Sequence, residues 1–227
     1  MRVDVAFTPA EASAAPVAVV IDVMRATSTI AQALASGYER VLCCREIDEA
    51  RALRAELGDE AVVGGERNAV VIEGFDLGAS PRDYVEPRAK TAIMTTTNGT
   101  RTILAAAETA EHVLLGSLLN LDAVVAAVAA AGEDVTLVCA GFQGTFAVDD
   151  AYCAGRIIER LGGDRTDAAV AAAAIARAFA SPWEGVNART YGPPGLEDDL
   201  RWCTQENTLD VVPRLSRLVG TAAEVVR

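Results

Sequence analysis

The sequence predicts an α/β protein, a three-layer αβα sandwich built on a mostly parallel central sheet. Three observations carry this prediction. Short apolar runs rich in β-branched residues recur along the chain; Ala/Leu segments with helical spacing separate several of them; and the runs are continuously apolar rather than alternating, as strands covered on both faces are.

The first such run is "VAVVID" (17–22), followed by "TSTIAQALASG" (27–37), which has helical spacing and a glycine stop. "RVLCC" (40–44) and "AVVGG" (61–65) read as further strands. Residues 64–87 break the rhythm with glycines, acids and arginines and no long helical pattern, and a long irregular loop in a compact domain is usually functional. The alternation resumes with "TAIMTT" (91–96), the helical "RTILAAAETA" (101–110), "HVLLG" (112–116) and "VTLVCAG" (135–141). From about residue 164 the chain turns helical through "RTDAAVAAAAIARAFA" and then enters the Pro/Gly-interrupted "SPWEGVNARTYGPPG"; this tail reads as packing and closure, not chemistry. No linker divides the 227 residues, so residues 1–227 are expected to form a single domain.

Composition narrows the setting. Hydrophobic residues make up 51% of the chain, as in a fully folded globular protein. The start "MRVDVAFTPA" contains acid and lacks a signal-peptide core, and no apolar run approaches a membrane span, so the expectation is a cytoplasmic protein with no membrane partner. Five cysteines, two of them adjacent at Cys43 and Cys44, suit neither a disulfide framework nor a zinc site and are expected as buried thiols. Asp and Glu outnumber Lys and Arg 32 to 20, and the net charge of -12 repels phosphate backbones, so no nucleic-acid partner is expected. A homodimer stays open.

In open α/β sheets ligands bind beyond the carboxyl ends of the strands. Asp22 stands at the first such end, and Thr27, Ser28 and Thr29 then open a helix whose N–H groups, with Arg25, could hold an anion. The same residues also read as an ordinary helix cap with a surface arginine, and this stretch alone does not separate the two. "TTTNGTRTI" repeats the chemistry: Thr97 leaves a strand, Asn98 and Gly99 turn, and Thr100 and Arg101 begin a helix. In "CAGFQGTFAVDDAYCAG", Gly141 and Gly144 allow close backbone approach, and Asp149 and Asp150 start a helix, where its dipole favours acids in any case. Asp22, Glu66, Asp76, Asp149 and Asp150 are all expected in loops at strand ends, and carboxylates beside an anion cradle suggest a hard cation, Mg²⁺ being the usual choice with phosphate esters.

Absences narrow the chemistry further. The only histidine, His112, begins a strand at the opposite end, which excludes histidine phosphatases, Ser-His-Asp hydrolases and multi-histidine metal sites. Neither G-x-x-x-x-G-K-[ST] nor G-x-G-x-x-G occurs, so nucleotide binding has no support.

Taken in order, "IDVMRATSTI", "GGERN...GFDLGASP", "TTTNGTR" and "CAGFQGTFAVDDAYCAG" resemble the 2-phosphosulfolactate phosphatase family over roughly residues 17–157, with "DVVP" (210–213) in keeping. The resemblance implies a magnesium-dependent acid phosphatase of αβα fold that hydrolyses 2-phospho-3-sulfolactate to sulfolactate and phosphate, a step towards coenzyme M. Its substrate would be a small anionic phosphoester. Asp22, Arg25, Glu66 and Asp150 are the expected catalytic residues. Thr27, Ser28, Thr29, Arg67, Asn68, Thr97, Asn98, Gly99, Thr100, Arg101, Gly141 and Gly144 are expected to bind substrate, and Asp22, Glu66, Asp76, Asp149 and Asp150 to hold Mg²⁺. The chain departs from the family pattern at Ala69, where glycine is expected, at Ala79, where asparagine is, and at Ala147, where serine is.

Three rival readings compete with this one. An aspartyl-phosphate hydrolase of haloacid dehalogenase type needs an Asp at position 24, which is Met24. An isochorismatase-type cysteine hydrolase could recruit Asp22, Lys90 and Cys139, although Lys90 precedes its strand. A catalytically inactive binder of a small phosphorylated or sulfonated acid is the non-enzyme alternative, supported only by the three alanines.

Overall fold

A computed structural model describes residues 1–192 and 194–227. In chain order the elements are β1 (Arg2–Ala6), β2 (Ala15–Ile21), α1 (Ala26–Ser36), β3 (Arg40–Cys43), α2 (Ile47–Leu57), β4 (Ala61–Arg67), β5 (Val70–Val71), β6 (Thr91–Thr95), α3 (Gly99–Ala106), β7 (Ala110–Gly116) and α4 (Leu121–Ala131). They continue with β8 (Val135–Cys139), α5 (Val148–Arg160), β9 (Asp164–Arg165), α6 (Asp167–Arg177), α7 (Pro182–Asn187), α8 (Glu197–Cys203), β10 (Arg214–Val219) and β11 (Ala222–Val226). Each of the six apolar runs forms a strand, β2, β3, β4, β6, β7 and β8.

The strands join one open sheet in the order β5-β4-β6-β3-β11-β10-β7-β2-β8-β1-β9. Two parallel groups make up most of it: β4, β6 and β3 on one side, and β7, β2, β8, β1 and β9 on the other. Buried on both faces, β2 sits in the second group with Val19 opposite both Leu137 and Leu114, which explains its unbroken apolar sequence. Helices α1 and α3 pack on one face against Val20, Val41, Met94, Leu115 and Val138. The other face is covered by α4, α5, α6, α7 and α8 over β1, β2 and β8, and by α2 over β3, β4 and β6. The three layers of the α/β expectation are therefore present.

The carboxyl-terminal hairpin corrects the reading of the tail. Residues after 164 do form helices, but β10 and β11 then enter the middle of the sheet, antiparallel to each other, to β7 and to β3. With three antiparallel pairings between them, the two parallel groups run in opposite senses. A sheet twist of about 20–25° per neighbour accumulates across the intervening strands, and the loops after β2, β4, β6 and β8 meet around one cavity. Arg40 and Arg217 both pair with Glu224 of β11, tying this hairpin to β3. Among the described residues no helix is long and apolar enough to cross a membrane.

Candidate active site

The loops at these strand ends enclose a cavity of about 490 Å³, lined in part by Asp22, Arg25, Glu66, Asn68, Thr97, Asn98, Gly141 and Asp150. Eight sequence-predicted site residues therefore share one wall-to-wall space, although they come from five separate loops and helix starts.

Asp22 follows β2 and is buried. Its Oδ1 accepts the Ala26 N–H at 3.2 Å, and its carbonyl accepts the Thr27 N–H at 3.0 Å. The side chain thus caps α1 from its own loop, as a short acid can. Loss of hydration pushes its carboxyl up to about 7 despite the Ala26 bond, and the neighbouring charges of Glu66 and Asp149 push the same way. Gly99, the first residue of α3, lies against it; a Cβ there would strike Asp22 Oδ2 and Ala26 Cβ. The glycine is what lets α3 close over the carboxylate.

Glu66, at the end of β4, is held by three donors. Oε1 accepts the Thr97 N–H at 2.6 Å, while Oε2 accepts the Ala69 N–H at 2.6 Å and the Thr97 hydroxyl at 3.0 Å. Asp150, in the first turn of α5, accepts the Val23 N–H at 2.9 Å and the Gly141 N–H at 3.0 Å, bracing the loops after β2 and β8. Burial, then Asp149 and Asp22, push its carboxyl well above the usual range. Asp149 beside it is fully buried behind the cavity lining; its Oδ1 accepts the Tyr191 hydroxyl at 2.5 Å, and its Oδ2 has no partner among the described residues. Desolvation raises Asp149 as well.

Arg25 contributes a cation, though a committed one: its Nη1 donates to Asp199 Oδ2 at 2.6 Å, and Asp199 also takes the Ser80 hydroxyl and Arg82. The side chains of the Arg25–Asp199 pair are only 10% and 4% exposed. The tail therefore belongs to the site. Arg189, Tyr191, Gly192 and Leu196 line the cavity, with Tyr191 stacked on Phe142 at 4.2 Å. In sequence this tail reads as packing and closure because no spacing or motif marks these residues. Pro193 of the same Pro/Gly stretch lies outside the described residues.

Several expected binding residues do other work. Thr27, Ser28 and Thr29 are fully buried, and their hydroxyls donate to the carbonyls of Asp22, Val23 and Ala79. With the Ala26 and Thr27 N–H groups taken by Asp22, this helix start is no open anion cradle. Thr100 is likewise buried, exchanging bonds with Thr96. Asp76 is removed from the expected metal set: its Oδ2 accepts the Val63 N–H at 2.9 Å and meets Arg54, bracing the loop after β4 outside the cavity. Arg67, Arg101 and Gly144 line a neighbouring cleft instead. His112 is exposed at the start of β7. Cys139 lies in the apolar core, its thiol pushed well up by burial, and Lys90 precedes β6 at the far end, so the cysteine-hydrolase arrangement does not form. All five cysteines are free and buried.

The alanine departures have local readings. Ala69 adopts φ 63, a left-handed conformation that favours glycine. Ala147 is the N-cap of α5 and supplies no side-chain cap bond, which serine would. Ala79 lines the cavity and offers its carbonyl to Thr29.

Among the described residues, no three His, Cys, Asp or Glu side chains form a ready-made metal cluster. Mg²⁺ needs less, keeping several waters and taking one or two carboxylates together with substrate phosphate. Asp149 Oδ2, without a partner among the described residues, and the desolvated Asp22 fit that demand.

Comparison with known proteins agrees with the geometry. The family model described as 2-phosphosulpholactate phosphatase matches residues 5–217. A relative from Clostridium acetobutylicum named "probable 2-phosphosulfolactate phosphatase" is 40% identical over 209 residues, covering 87% of this chain and 88% of the relative. Proteins of the same name from Symbiobacterium thermophilum and Thermotoga petrophila are each 39% identical, covering 90% and 94% of this chain and 93% and 95% of their own. The match runs through every loop that builds the acid cavity, and the chain belongs to the 2-phosphosulfolactate phosphatase family.

Proposed function

We propose that this chain, a phosphatase by family, hydrolyses 2-phospho-3-sulfolactate or a closely related 2-phospho acid to the 2-hydroxy acid and phosphate, and that it needs Mg²⁺ to do so. The observation that carries the reading is the convergence of Asp22, Glu66 and Asp150 with Arg25 in one cavity of a chain from this family.

The charge balance supports the metal requirement. Asp22, Glu66, Asp149 and Asp150 crowd one region, against Arg25 and Arg189, and Arg25 is already paired with Asp199. A phosphate dianion entering these acids alone would be repelled. Bound Mg²⁺ would neutralise that charge and the charge developing on the phosphoryl group. Asp22 and Asp149 are the carboxylates that would hold it. Glu66 fixes the Asn68–Asn98 wall of the cavity through Thr97 and Ala69. Arg25, locked by Asp199, presents the remaining face of its guanidinium to a phosphate oxygen without rotamer loss. Asp150 keeps the loops after β2 and β8 at fixed separation, and Tyr191, its own ionisation suppressed by burial and the nearby acids, remains a hydrogen-bond donor to Asp149. Attack on phosphorus comes from a water in the cavity or from Asp22 itself.

A competition assay tests the substrate. Phosphate release should be fastest with 2-phospho-3-sulfolactate and slower with phospholactate, phosphoglycolate and phosphomalate. Equal rates on all four would reduce the reading to a general phosphatase, and release from none would refute it.

A further inference from the structure

Beyond the acid cavity lies a second cleft, of about 500 Å³, lined by Arg45, Arg67 and Arg101 together with Gly144. It shares Thr97, Asn98 and Gln143 with the acid cavity, and those residues form the partition. The partition is hydrogen-bonded throughout: the Gln143 side chain donates to Asn68 Oδ1 at 3.1 Å, the Gln143 N–H to Asn98 Oδ1 at 3.1 Å, and the Asn68 N–H to Thr97 Oγ1 at 3.1 Å. Asn68 and Gln143 both sit at left-handed φ, 53 and 52, conformations that cost non-glycine residues energy. The wall is therefore built at some expense between two spaces of opposite charge.

We propose that this arginine cleft is a second binding site, for a tetrahedral oxyanion of the phosphate or sulfonate class. Three arginines line it, and among the described residues only Arg101 forms a salt bridge there, with Glu46 at 2.8 Å. Arg67 is held in place by neutral acceptors, the Glu66 and Arg45 carbonyls and the Thr95 hydroxyl at 2.8–3.2 Å, which orient its fork without a carboxylate hydrogen bond among the described residues. Partial burial acts against its charge, as does Arg101, and outweighs the opposing pull of Glu66 and Glu46, so a bound anion would relieve a cost the empty cleft carries. Thr97, Asn98 and Gly144 add neutral polar and backbone groups beside the guanidinium forks. Two sources share this chemistry: free phosphate, and the sulfonate end of a substrate whose phosphate lies in the acid cavity.

Calorimetric titration of the full-length protein with inorganic phosphate and with methanesulfonate, in EDTA, measures anion binding, and variants of the cleft arginines assign it to the cleft. Both anions should bind. The exposed pair Arg45→Gln/Arg101→Gln should weaken binding by about tenfold or more, and Arg67→Lys, which keeps the charge and loses the fork, should weaken it too. Circular dichroism and thermal unfolding establish that each variant is folded. No binding to the native protein, or equal binding to the folded variants, would overturn the proposal. A kinetic arm, which alone rests on the phosphatase reading, separates the sources. A sulfonate site makes the double variant raise KM for 2-phospho-3-sulfolactate and not for phospholactate, whereas a phosphate site leaves both KM values in place and relieves inhibition by added phosphate.

Discussion

Replacing Asp22 by asparagine should stabilise the metal-free protein while ending turnover. The Asp22 carboxyl ordinarily loses its proton near pH 4, and in the fold near 7, because burial, Glu66 and Asp149 oppose its charge. Between those values the folded chain binds more protons than the unfolded chain, so stability falls as pH rises from about 4 to about 7 and is level above. At about 1.4 kcal/mol per pH unit, the interval from 3.8 to about 7 corresponds to a ceiling of ~4 kcal/mol. The penalty is shared with the adjoining acids, so a gain of about 1–3 kcal/mol at pH 7.5 is expected, or roughly 2–4 °C in Tm for each kcal/mol. Asparagine keeps the Oδ1 acceptor for Ala26 and hence the cap of α1. The assay is thermal unfolding in EDTA from pH 4.5 to 8, reading the difference between native protein and variant so that other carboxylates cancel. That difference should grow with pH up to about 7 in favour of the variant. A variant less stable than the native protein at pH 7.5 would mean that the Asp22 charge is compensated within the fold, and the argument for a cation would fail.

Three further substitutions probe the surroundings. Gly99→Ala should cost about 1–3 kcal/mol and most of the activity, since the added methyl group meets both Asp22 and Ala26; unchanged kinetics would show that α3 need not close on the carboxylate. Arg25→Ala leaves Asp199 buried without its main partner and should lower stability by about 3–5 kcal/mol, measured by urea unfolding, with activity lost even where the variant is folded. Ala147→Ser restores a side-chain cap to α5 and should add about 0.5–2 kcal/mol while leaving kcat within twofold; a loss of stability would show the N-cap site has no room for the bond.

Most of the sheet was legible because its strands are buried on both faces, which leaves apolar runs such as 17–21 and 135–139 no other use. The hairpin of β10 and β11 was not: Arg214, Arg217 and their neighbours in β10 are largely exposed, so the strand carries little apolar signal although it lies mid-sheet. Within the site, Asp22 and Glu66 were legible as acids directly after apolar strands, whereas Asp150, at a helix start where the dipole favours acids in any case, was legible only through the motif around it. Sequence could not reveal which way the threonines turned. Thr27, Ser28 and Thr29 have the chemistry of an anion cradle, yet their hydroxyls close on carbonyls within the fold, a choice set by packing. Nor could it show that Arg25 and Arg101, alike at two helix starts, would face different spaces, or that Asp199 and Tyr191 would come back from the tail to grip Arg25 and Asp149.

In the proposed mechanism the acids around Asp22 act on a phosphate ester only with a cation among them. Phosphate release from 2-phospho-3-sulfolactate, measured on the native protein and on Asp22→Asn in EDTA and again after Mg²⁺ is supplied in excess, tests it most directly. No release is expected from either in EDTA, with full recovery of the native protein on adding Mg²⁺ and none for Asp22→Asn. Undiminished release by the native protein in EDTA, or recovery of the variant by Mg²⁺, would contradict it.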